Sequence, residues 1–61
     1  MTYRELNELF QRTWADEKGI IHGKPVMMIY RINMASESLD SPVDEEFVRA
    51  ELERTGLTLD L

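Results

Sequence analysis

The sequence contains no cysteine, a single histidine, two prolines and three glycines in 61 residues. Without cysteine no disulfide can staple the fold, and a tetrahedral zinc site would rest on His22 and carboxylates alone, so neither common reinforcement of a short chain is expected. A chain of about 60 residues buries only ~60% of the surface that its unfolded form exposes. Docking on a second copy or on a larger partner is the remaining way to add buried area. No apolar run approaches the roughly 20 residues that cross a bilayer. The opening Met1-Thr2-Tyr3-Arg4-Glu5 is charged and amphipathic, unlike a secretory signal. These features predict one soluble, cytoplasmic domain over residues 1–61, with no cofactor, no metal and no membrane partner.

Basic charge is scarce in the second half. From Met1 to Met34 there are five Lys/Arg against four acids; from Ala35 to Leu61 there are two against eight. A direct nucleic-acid binder needs a cationic footprint to displace counterions from phosphates, and this distribution excludes one. Chemistry-bearing motifs are missing as well. His22 sits beside Gly23 without an identifiable carboxylate or nucleophile to work with. Gly19 and Gly23 do not form a phosphate loop. Asp40, Asp44 and Glu45 lack the alternating oxygens and central glycine of a calcium loop. The reading is of a protein that is not an enzyme.

What is present is organised. Thr2 and Glu5 have the spacing of a capping box. Behind them Tyr3, Leu6, Leu9, Phe10, Thr13 and Trp14 fall within an arc of about 140° on a helical wheel, which makes one core-facing stripe. Arg4, Glu8, Arg12 and Asp16 alternate in sign at i,i+4 on the far side. This predicts a first helix from Tyr3 to about Lys18, closed by Gly19. Val26 to Met34 is apolar on both faces at its start and rich in β-branched and aromatic residues, and with Ile20-Ile21 it predicts a β-hairpin. Ser41-Pro42 predicts the start of a second helix ending at Gly56, with Asp44, Glu45 and Glu46 at its positive end. Leu57, Leu59 and Leu61 alternate as a short last strand would. The expected fold class is α+β: helix, hairpin, helix and short C-terminal strand in two layers.

The second helix carries two apolar stripes. Val43, Phe47 and Ala50 form one, while Val48 and Leu52 lie roughly 100–180° away. The second stripe either covers a sheet edge or forms a docking surface, with Val48 and Leu52 as apolar anchors among Asp44, Glu45 and Glu51. Met27 and Ile29, on one face of the expected strand, are candidates for self-association as a homodimer. The functional expectation is a small acidic regulator or inhibitor that occludes a basic surface of another protein. Its size fits a phage- or mobile-element origin. Two alternatives stand beside it: a nucleic-acid mimic that blocks a DNA- or RNA-binding protein, and an accessory subunit that adds a strand to a partner's sheet.

Overall fold

Three helices form the fold: α1 (Tyr3–Trp14), α2 (Lys24–Ala35) and α3 (Glu45–Thr55). This computed structural model describes residues 1–61 and contains no sheet, only two isolated antiparallel bridges, Thr2 with Pro42 and Ala15 with Ile21. The expected α+β class is therefore corrected to a small all-helical domain.

At the start of α1 every early N–H group finds an acceptor, as a helix end requires. Tyr3 donates to the Ser41 carbonyl (3.2 Å) and Arg4 to the Leu39 carbonyl (2.8 Å). The Glu5 N–H donates to the Thr2 hydroxyl, and the Glu5 carboxylate accepts the Thr2 N–H, so the capping box forms. The Thr2 N–H bond, the largest influence, holds the Glu5 carboxyl below its ordinary pKa. Tyr3, Leu6 and Phe10 are buried, and Trp14, half-buried, stacks on Phe10 at 5.7 Å between ring centroids. The helix stops at Trp14, short of Lys18. Asp16 ends it by accepting the backbone N–H groups of Lys18 (2.8 Å) and Ile20 (3.0 Å), a side-chain alternative to the next helical turn.

The expected hairpin is the main correction. Gly23, at φ +79, turns the chain into α2, and Pro25 stands in its first turn, where a missing N–H does no harm. Val26-Met27-Met28-Ile29-Tyr30 reads as a strand apolar on both faces because a helix apolar on two opposite sides gives the same short run. Helical spacing sends Met28 and Ile32 into the core with Pro25, while Met27, Tyr30 and Met34 face out. Both α1 and α3 pack against α2, which makes it the central helix.

Ser41-Pro42 does not open α3. The Ser41 carbonyl serves α1, Pro42 pairs with Thr2, and Asp44 takes the N-cap by accepting the Phe47 N–H at 3.3 Å. The end falls as expected: Gly56, left-handed at φ +73, lets its own N–H reach the Glu53 carbonyl and the Leu57 N–H reach that of Leu52. The expected last strand does not form. Leu57, Leu59 and Leu61 keep their alternation and lie half-buried on the core with no strand beside them.

Seven residues from the three helices make the core: Tyr3, Leu6, Phe10, Met28, Ile32, Val48 and Leu52. Polar links join the helices around it, among them Arg31 of α2 with Glu51 of α3. Asn7 and Asn33 exchange side-chain amide bonds of 2.7 and 2.9 Å between α1 and α2. The Asp44 N–H donates to the Tyr3 hydroxyl at 3.2 Å, tying the start of α3 to the start of α1.

Candidate interaction surface

The residues expected to bind a partner on the last helix are mostly engaged within the chain. Val48 is 0% exposed and Leu52 7%, so the second apolar stripe is core and offers no docking anchors. The stripe expected in the core is the looser one: Val43 and Phe47 are half-buried and Ala50 is exposed. The inversion follows from α2 lying on the Val48–Leu52 side, together with the Tyr3, Leu6 and Phe10 stripe of α1.

Glu51 is buried, at 5% exposure, between two guanidinium groups. Arg31 Nε of α2 donates to its Oε1 at 2.8 Å, and Arg54 Nη2 of α3 donates to the same oxygen at 3.0 Å. Arg54 first and Arg31 second hold the Glu51 carboxyl at about 2, well below the ordinary carboxylate range. The same contact raises the Arg54 guanidinium. Glu51 is thus a clamp between helices, not a steering charge. Of the other two acids, Asp44 caps α3, and exposed Glu45 lies 3.4 Å from Arg49 one turn on.

The two self-association candidates separate. Met27 is exposed, whereas Ile29 is half-buried and packs against the core. Met27 belongs to a surface that the strand reading could not assemble. At about 100° per residue Val26, Tyr30, Met34 and Met27 share an arc of about 100° on α2, centred opposite Met28 and Ile32. They are 44%, 59%, 67% and 62% exposed respectively. Scattered exposed apolar side chains are ordinary, but four on one face of one helix form a patch. The signal was in the sequence as i,i+4 steps from Val26 to Tyr30 to Met34, visible once Pro25 is taken as a helix start.

Other surfaces carry less. His22 does have a carboxylate neighbour: its Nε2 lies 2.8 Å from Asp16 Oδ2. The Ile20 N–H first, then His22, hold the Asp16 carboxyl below its ordinary pKa. The open hollow beside them is lined by Glu17, Lys18 and Ile20, with no hydroxyl or thiol nucleophile. A wider groove of about 600 Å³ runs between α1 and residues 36–39, lined almost wholly by polar side chains such as Arg4, Gln11 and Asn33. No three His, Cys, Asp or Glu side chains are grouped to hold a metal ion. No helix is long and apolar enough to cross a membrane. No family model, curated protein or solved structure matches the chain.

Proposed function

We propose that this chain is a protein-interaction module that acts by laying the outward face of α2 on another protein surface, without chemistry of its own. One observation carries this reading: α2 is apolar on two opposite sides, and the three-helix core covers only one of them. An exposed Met27, Tyr30 and Met34 contribute nothing to the core, and methionine beside tyrosine suits an adaptable contact surface with an aromatic anchor.

Occlusion of a partner surface remains the mode of action, moved from α3 to α2. The acids lie elsewhere: none of the twelve falls between Lys24 and Ala35. They give the remaining surface a negative field, which sets the sign of approaching partners more than the affinity of the docked face. Nucleic-acid mimicry is less favoured, because it needs a run of free carboxylates. On α3, Glu45 is engaged by Arg49, and Glu51 by Arg31 and Arg54. Strand addition has no strand to use.

A photo-cross-linking amino acid placed singly at Met27, Met34, Arg12 or Glu53, in the cells the protein comes from, tests the reading. Adducts are expected from the two α2 positions and not from Arg12 on α1 or Glu53 on α3. Adducts confined to Glu53 or Arg12 would contradict it.

A further inference from the structure

We infer that Met27 and Met34 are oxidation sites, at which a peroxide turns both thioethers into sulfoxides and switches the outward face of α2 from apolar to polar without unfolding the chain. The inference rests on the docking face proposed above and names how that face is regulated.

The chain has no cysteine, so no thiol intercepts a peroxide before its methionines do. Of the three methionines of α2, Met27 is 62% exposed and Met34 67%, whereas Met28 is 0% exposed. Met27 and Met34 stand seven residues apart, about two helical turns, on one face with Tyr30 between them. Oxidation therefore strikes both flanks of the aromatic anchor. Met28 is shielded twice over: it lies in the core, and the Thr55 hydroxyl of α3 donates to its sulfur at 3.5 Å, engaging a lone pair that the reaction needs. Met1 is exposed as well, but it precedes α1 and is no part of this face.

A sulfur lone pair attacks one oxygen of hydrogen peroxide, and an S–O bond forms as the O–O bond breaks. The sulfur gives up two electrons, and the departing hydroxide takes the proton left on the new S–OH group and leaves as water. A sulfoxide reductase working with thiols returns two electrons and two protons, and the oxygen leaves as water, so the change is reversible. The sulfoxide oxygen is a hydrogen-bond acceptor that must lose its water when the face docks, with no donor arranged to replace it. Two of the four side chains of the face, Val26, Met27, Tyr30 and Met34, thus turn polar. The seven core residues stay as they are.

Hydrogen peroxide treatment of the purified chain, read by tandem mass spectrometry and circular dichroism, tests the sites. Met27 and Met34 are expected to gain one oxygen each at least about tenfold faster than Met28, which reacts only when the fold opens, and the helical signal to persist. A photo-cross-linking amino acid at Tyr30, with both methionines in place, tests the switch in a lysate of the cells the protein comes from. Oxidation, with the peroxide then removed, is expected to cut the yield of adducts about tenfold, and reductase treatment to restore it. A Met27→Leu/Met34→Leu chain keeps the face apolar and still carries Met1, so its adducts are expected to survive peroxide. Met28 oxidised as fast as Met27, helicity lost with oxidation, or adducts unchanged by it would overturn the inference. So would an equal loss of adducts in the leucine chain. No adduct from the untreated chain would instead remove the docking face, and the switch with it.

Discussion

Arg31 of α2 donates to Glu51 of α3 at 2.8 Å, at the rotation of α2 that buries Met28 and Ile32 in the core. Arg31 lies on the helix wheel between the buried Met28 and the exposed Met27, so the rotation that brings it to α3 also leaves Val26, Tyr30 and Met34 outside. The clamp and the bare face are two consequences of one packing choice.

The clamp makes stability depend on acid. Glu51 titrates at about 2 in the folded chain, against an ordinary value of 4.5. Between those values the unfolded chain takes up a proton that the folded chain refuses, so stability is full above about pH 4.5 and falls as pH drops toward 2. Glu51→Gln is expected to lower the melting temperature at pH 7 and to flatten this acid limb. A residual slope of the same sign remains, because the Glu5 and Asp16 carboxyls are lowered as well. Melting temperatures of both proteins from pH 7 to pH 2 check it; an unchanged acid limb in the variant would count against the clamp.

The helical reading of residues 24–35 separates two side chains that a strand would place together. Met28 and Tyr30 share a face in a strand, whereas α2 buries one and exposes the other. Met28→Ala is expected to cost about 2–5 kcal/mol in chemical denaturation. Tyr30→Ala is expected to stay within about 0.5 kcal/mol. Comparable losses at the two positions would contradict the orientation of α2.

Much of α1 was legible in the sequence because one stripe met one core: Thr2, Glu5, Tyr3, Leu6 and Phe10 do what their spacing says. The C-terminal end of α3 was legible too, since Gly56 marks it locally. The hidden part was α2. Its outward Met27 and Tyr30 break the amphipathic pattern that identifies a helix, and a surface apolar on both sides imitates a buried strand. The same feature misplaced the candidate site. With residues 24–35 read as a strand, nothing in the sequence says which stripe of α3 meets it, and Val48 and Leu52 stay open between a sheet edge and a docking surface when they belong to the helical core.

The amide pair between α1 and α2 gives a contrast of single and double variants. Asn7 and Asn33 each donate to and accept from the other, and Asn7 also donates to the Tyr3 carbonyl at 2.7 Å. Replacing one by leucine leaves a half-buried amide without its partner and is expected to cost about 1–2 kcal/mol. Replacing both with leucine is expected to cost less than the sum of the singles, which a double-mutant cycle in urea reads directly. Strict additivity would mean that the pair is not coupled.

Methionine methyl resonances read the docking face most directly, since Met27 and Met34 lie on it while Met28, on the opposite side of the same helix, is an internal reference. With a soluble paramagnetic probe added to the ¹³C-methyl-labelled chain, the Met27 and Met34 signals are expected to broaden while Met28 stays sharp. Met27 and Met34 signals that stay sharp, or Met28 broadened as much as they are, would contradict a bare outward face on α2.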